Sequence, residues 1–221
     1  MSVEKVFAFG NPNIGVYVVA TDSFALIPQD APEKVEEAAR DAFKVDVFRV
    51  RISSSSLLGV FSAANSNGVL LGRFTTEEEV ALIKKLLDVN VAVLDIRENA
   101  VGNLVLANDR VAVVSPLVPE DKLPVVGDVL GAEVVVKGLA GTQLVGSAAV
   151  ATNRGVMVSP LASDEEVDEL GEIFGIPVDV GTVNRGSLFV RAGMAANSRG
   201  ALVGYETTGP ELMRIHQILF G

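Results

Sequence analysis

The chain has 221 residues, nearly half of them apolar, with no cysteine, one histidine and a formal charge of −10. This length and apolar share can bury a substantial core, and the lack of cysteine excludes a disulfide framework, a thiolate metal site and a cysteine nucleophile, and suits a cytoplasmic protein. The acidic balance argues against broad attraction to nucleic acid or anionic membrane, no stretch is apolar for long enough to span a bilayer, and the opening MSVEKVFAFGN has no signal-peptide layout.

In chain order, one unit recurs. Residues 1–43 hold a turn at Thr21-Asp22, Pro28, and a helix carrying Glu33, Glu36, Glu37 and Asp41. Residues 44–87 show the unit most clearly. Val45–Ile52 alternates as a half-buried strand, Ser53–Ser56 is a turn, and Leu57–Ala64 reads as a continuous apolar strand. Asn65-Ser66-Asn67-Gly68 supplies a tight reversal, Val69–Leu71 a third strand, and Thr76 with Glu79 a capping box before the stripe Val80, Ile83, Leu86, Leu87. In residues 88–131 the turn is at Asn108, followed by Pro116 and a helix around Glu120–Leu130 that contains Pro124 and Gly127. Residues 132–175 give strands over Ala132–Leu139 and Leu144–Ala151, a turn at Thr152–Gly155, a strand over Val156–Val158, Pro160, and a helix from Ser163 with Glu166 in the capping-box position. Residues 176–221 end in GPELMRIHQILFG after a turn at Asn197.

The copies keep a period. Thr21, Asn65, Asn108, Asn153 and Asn197 are spaced 44, 43, 45 and 44 residues apart, and Gly15, Gly59, Gly102 and Gly146 are spaced 44, 43 and 44. Glycines in phase early in the second strands mark close backbone approach or a bend, as around a central axis; the fifth copy has Val190 and Arg191 there instead. A strand-strand-strand-helix unit cannot bury its own sheet, and neither end carries a distinctive polar cap. The expected fold is therefore α/β (α+β), a closed ring of five pseudosymmetric repeats forming one domain over 1–221, with helices at the rim.

No catalytic constellation emerges. His216 stands alone on the terminal helix, so no metal site is expected. Walker and dinucleotide fingerprints are absent, and Ser53–Ser56 lacks a nucleophile elbow and a base. No cofactor is implied. The carboxylates gather on helices, Asp164, Glu165, Glu166, Asp168, Glu169 and Glu172 above all, as a solvated outer surface. Arg110, Arg154 and Arg199 lie in or beside the asparagine turns, where they either give those turns positive potential or keep loops soluble.

Five stretches resemble archaeal members of the translation initiation factor 6 family, the ribosome anti-association factors: VGTVNRGS (180–187), GMAAN (193–197), ENAVGN (98–103), LVGS (144–147) and NSNG (65–68). The resemblance runs the full chain in order and implies a pentein-type ring. It also implies binding to the large ribosomal subunit on its intersubunit surface near the sarcin–ricin loop, sterically preventing association with the small subunit. Pentein enzymes that modify guanidines need a cysteine nucleophile, so the chain is expected not to be an enzyme. The alternative is a non-catalytic interaction ring for a partner other than the ribosome.

The most family-like stretches lie before the second strands, so that end of the ring is expected to bind the ribosome through Asn11, Asn13, Gly15, Val60, Asn99, Asn103, Ser147, Asn184, Arg185 and Leu188. Several of these asparagines are equally suited to turn geometry. The acidic body suggests a basic ribosomal protein as the main contact, with limited rRNA contact, and no membrane partner; the free protein is expected to be a monomer.

Overall fold

The structure is a computed structural model and describes residues 2–221. Strand β1 (Ser2–Val6) leads to a 3-10 turn at Ile14–Val16, the hairpin β2 (Val19–Ala20) and β3 (Phe24–Pro28), and helix α1 (Glu33–Phe43). The second repeat is β4 (Asp46–Val50), a short helix α2 (Leu58–Phe61), β5 (Ser62–Ala64), β6 (Gly68–Gly72) and α3 (Glu77–Leu86). The third is β7 (Asn90–Leu94), α4 (Val101–Leu104), β8 (Val105–Ala107), β9 (Val111–Val114) and α5 (Leu123–Leu130). The fourth is β10 (Glu133–Val136), α6 (Val145–Ala148), β11 (Ala149–Ala151), β12 (Val156–Val158) and α7 (Asp164–Phe174). The fifth is β13 (Val178–Val180), α8 (Val190–Gly193), β14 (Met194–Ala196), β15 (Gly200–Gly204) and α9 (Gly209–Phe220).

The strands form five three-stranded sheets. Each sheet takes an antiparallel hairpin from one repeat and a parallel strand from the next, reached through the intervening helix. In the first, Val19 pairs with Leu26 and Phe24 with Asp46. The last sheet borrows from the first repeat: β1 pairs in parallel with β15 from Ser2↔Gly200 to Val6↔Gly204, which closes the ring. The ring of five repeats thus agrees with the sequence pattern, but a sheet is shifted by one strand from the sequence unit.

Two details differ from the sequence reading. The apolar runs Leu57–Ala64 and Leu144–Ala151 each divide into a helical turn and a three-residue strand. Apolar continuity reports burial on all sides, which a buried turn and a buried strand share, and the periodic glycines sit in those turns rather than in strands. The fourth turn residue is Thr152, not Asn153. Thr152 N–H bonds Gly155 O at 3.0 Å, as Asn65 bonds Gly68 at 3.1 Å and Asn108 bonds Val111 at 3.0 Å. The true spacings over Thr21, Asn65, Asn108, Thr152 and Asn197 are then 44, 43, 44 and 45. Ala20, Ala64, Ala107, Ala151 and Ala196 precede those five residues without exception. The third helix forms despite Pro124 because the proline stands at the start of α5, where an unpaired N–H is not missed.

The core is five cores. Each lies between two neighbouring sheets and contains one helix, so Phe43 of α1 packs with Ala195 and Leu202 of the fifth sheet and Ala25 and Ile27 of the first. Ile83, Leu130, Phe174 and Ile215 hold the corresponding places on the other helices. No repeat has a core of its own, which is why the array must close.

Candidate functional site

The ring has two ends. At one lie the five hairpin turns and the helix C-termini; at the other lie the loops that follow β1, β4, β7, β10 and β13, the short helical turns and the helix N-termini.

The hairpin-turn end is occupied with its own structure. Asn65 is buried; its Oδ1 accepts the N–H groups of Asn67 and Gly68 at 3.0 and 3.1 Å, and its Nδ2 donates to Asn108 O at 2.9 Å and Leu130 O at 2.7 Å in the next repeat. Asn197 repeats the pattern across the closure, donating to Thr21 O at 2.9 Å and Phe43 O at 3.0 Å. The arginines have a third role, distinct from both sequence readings. Arg110 donates to Phe174 O at 3.4 Å, Arg154 to Phe220 O at 3.1 Å and Arg199 to Lys44 O at 3.3 Å, each at the C-terminus of the next repeat's helix. Asn67 does the same for Leu130 O at 3.0 Å. Helices α5, α7 and α9 have no basic residue in their last turns, and a side chain from the preceding turn fills that need. Helix α3 follows a turn with Ser23 in that place and carries Lys84 and Lys85 itself.

The opposite end gathers the residues expected to bind. Val60, Asn103 and Ser147 occupy the same step of α2, α4 and α6, half-buried near the axis. Ser147 Oγ donates to Leu144 O at 2.7 Å. Asn11 Oδ1 accepts Asn13 N–H at 2.9 Å, Asn99 Oδ1 accepts Phe74 N–H at 3.1 Å, and Asn184 Nδ2 donates to Pro12 O at 3.0 Å. Leu188 is exposed beside the more exposed Phe189. Gly15 is set apart from this group. It is buried on the axis against the backbone of the fifth repeat and offers no surface.

These loops are held in an uncommon conformation. Ser53, Ser54, Ala140, Asn184 and Arg185 have φ of 55, 56, 52, 48 and 62°, a region that costs a side chain about 1 kcal/mol or more. A capping-box glutamate offsets that cost. Glu79 accepts Ser54 N–H at 2.9 Å, Glu166 accepts Ala140 N–H at 3.0 Å, and Glu211 accepts the N–H groups of Arg185 and Gly186 at 3.2 and 2.8 Å. Glu211 is the most heavily used. Burial alone would raise its carboxyl, but the N–H groups of Thr208 and Gly186 and the hydroxyls of Thr208 and Thr182 outweigh burial and hold it at about 2.

Sequence reading missed the apolar character of this end. Of the twelve large hydrophobic side chains exposed among the described residues, nine lie in its loops: Phe7, Phe9, Phe74, Leu117, Leu144, Leu161, Leu188, Phe189 and Tyr205. None lies in the hairpin turns. Phe74, Leu117 and Leu161 each follow Asn65, Asn108 and Thr152 by nine residues, a periodic signal that was available in the sequence. Phe7 packs edge-on to Tyr205 with centroids 5.7 Å apart, Lys5 lies 5.1 Å over the Tyr205 ring, and Arg73 lies 5.3 Å over Phe74. Cations therefore stand beside exposed aromatic rings at this end. His216 is exposed on α9 against Phe220, 5.8 Å between centroids, and among the described residues no cluster of His, Asp or Glu could hold a metal ion.

Comparison with known proteins places the chain beside one group. Residues 3–218 match the model of the eIF-6 family. A protein of Pyrobaculum aerophilum named Translation initiation factor 6 is 46% identical over 217 residues, covering 98% of both chains. The protein of that name from Aeropyrum pernix is 49% identical over 224 residues, covering 100% of this chain and 96% of its own. That from Methanothermobacter thermautotrophicus is 56% identical over 184 residues, covering 83% of this chain and 82% of its own.

Proposed function

The chain belongs to the eIF-6 family of translation initiation factors, and from that premise we propose that it binds the large ribosomal subunit on its intersubunit surface and blocks joining of the small subunit by its bulk. The docking end is the one that carries the short helical turns. The observation behind this choice is the concentration there of nine exposed hydrophobic side chains, among them Leu144, Leu188 and Phe189 on loops held by capping-box glutamates, because exposed apolar side chains on a rigid frame are a usual mark of a protein-binding surface. At the hairpin-turn end the arginines are already engaged with helix carbonyls.

The contact of this reading is mainly with a ribosomal protein near the sarcin–ricin loop, and rRNA contact is limited to cations such as Arg185. Helix N-termini point to this end, but the first turns of α3 and α7 each hold three acidic residues, which offsets the dipole attraction for phosphate. The factor works by steric exclusion without catalysis. It is a cytoplasmic protein, monomeric when free; no helix among the described residues is long and apolar enough to cross a membrane.

Co-sedimentation with purified archaeal large subunits over a salt series tests the reading. The wild-type chain should pellet with subunits at low salt, and the double variant Asn103→Glu with Arg185→Glu should bind at least about tenfold more weakly with an unchanged circular dichroism spectrum. Arg154→Ala at the opposite end should lower stability and leave binding intact. Unchanged binding by the double variant would transfer the docking surface to the hairpin-turn end, and no co-sedimentation by wild type would remove the ribosomal reading.

A further inference from the structure

The short turns meet on the ring axis so closely that a side chain has no room. A Cβ on Gly59 would lie 2.1 Å from Gly15 O, one on Gly102 2.0 Å from Gly59 O, and one on Gly146 2.2 Å from Gly102 O. The circle is completed by Arg191, whose carbonyl lies 1.9 Å from where a Cβ of Gly15 would stand. The fifth repeat therefore places an arginine where the other four have glycine.

Arg191 lines an axial cavity of about 50 Å³. Most of the surface that faces it is polar, although Ala64, Ala107, Ala151 and Ala196 are among the lining residues. Among the described residues, no carboxylate, carbonyl or hydroxyl hydrogen-bonds or ion-pairs with the guanidinium. Its nitrogens are not sealed away, and Arg191 is among the residues that line this cavity. The other charged residues along the axis, Asp22 and Asp109, stand at the hairpin-turn mouth and are already taken. Asp109 accepts Ser66 N–H at 2.8 Å and Asn153 Nδ2 at 2.6 Å. Asp22 accepts Ser198 N–H at 2.7 Å, Ser198 Oγ at 2.6 Å and Asn153 Nδ2 at 2.8 Å.

Burial pushes the Arg191 guanidinium down to about 10, which leaves it protonated at neutral pH. A half-buried guanidinium with no hydrogen-bond partner from the protein is costly, and ordered water or an anion can compensate it. One water needs about 10–15 Å³, so the cavity has room for a monatomic ion with a partial water shell and none for a nucleotide. The fixed fork of guanidinium N–H groups suits an anion.

We propose that the axial cavity is an anion site, in which Arg191 holds one small monovalent inorganic ion such as chloride at the centre of the ring. The ion binds the folded ring alone, because the unfolded chain has no such cavity, and so it stabilises the fold by mass action.

Bromide is the probe. Crystals of the wild-type chain soaked in sodium bromide should show an anomalous peak in the axis beside Arg191. In solution at constant ionic strength, replacing sodium gluconate, whose anion is too large to enter, by sodium bromide should raise the wild-type unfolding midpoint saturably. Arg191→Met and Arg191→Gly should lose the saturable part of that rise, and Arg191→Lys should keep it. The proposal is overturned if the axis shows water without bromide, or if the Met variant responds to bromide as wild type does. The crystal experiment needs no variant, so a misfolded substitution cannot mask the answer.

Discussion

A single residue type shapes the centre of this molecule. Glycine recurs at Gly15, Gly59, Gly102 and Gly146 because the space for a side chain is filled by the carbonyl of the neighbouring repeat, not because a turn demands unusual dihedrals. Gly59→Ala should therefore push two short helical turns apart and lower stability by about 3 kcal/mol, the upper range for overpacking a core, as read by urea denaturation. Gly171 in α7 is the control, since a Cβ there meets nothing within 4 Å. Gly171→Ala should instead stabilise by about 0.5–1 kcal/mol through helix propensity. Equal effects at the two sites would refute the crowded axis. The period of these glycines was legible in the sequence because close approach leaves only one residue possible. The asparagine period was legible for a similar reason, since one amide both closes a turn and reaches the next repeat. At Asn153 that reading slipped by one, because Thr152 can close its own turn through Oγ1 but has no amide to reach onward. Arg191 was visible as an exception; that it lines a cavity on the ring axis could be seen only in three dimensions.

At the scale of elements, helix start and loop shape are one device. The glutamate three residues into α3, α7 and α9 accepts its own cap's N–H and also an N–H of the preceding loop, so helix and loop are fixed together. Sequence showed the capping half of this, through Thr76 with Glu79 and Ser163 with Glu166, because those pairs are close in the chain. The loop half joins residues 25 or 26 positions apart and had no local signature. The same limit hid the arginine caps, which cross to the next repeat. Glu211 makes the device measurable. Its folded carboxyl lies at about 2 against an ordinary value of 4.5, so its stabilising contribution is full above pH 4.5 and is lost as pH falls toward 2. The contribution is up to about 3 kcal/mol, at 1.36 kcal/mol for each unit. Glu211→Gln should be less stable than wild type at pH 7, and the gap should narrow by that order between pH 5 and pH 2. Parallel stability–pH curves for the two proteins would show that Glu211 is not the group responsible.

For the whole molecule, the governing fact is that every core lies between repeats, so stability depends on closure. β1 supplies the third strand of the fifth sheet, and α1 packs on both β1 and β15. The point of closure is then a covalent accident within a near-symmetric circle. Joining residue 221 to residue 1 by a peptide bond would put two residues between Phe220 and Ser2, as Lys44 and Val45 stand between Phe43 and Asp46 and as Gly131 and Ala132 stand between Leu130 and Glu133. A permuted chain with that joint, opened after the exposed Gly141, should keep the far-UV spectrum and unfold in one transition, because every sheet retains its three strands. A chain lacking residues 1–7 is the contrast. It leaves β15 as an unpaired edge and takes Val3 and Val6 away from the two cores they pack against, which should cost about 3 kcal/mol or more and favour aggregation. If the permuted chain failed as badly as the shortened one, stability would depend on the native order of the chain, and closure of the ring by strand exchange would not suffice to explain it. If it survives, the uneven spread of aromatic residues around the proposed docking end is a feature that closure of the ring does not require.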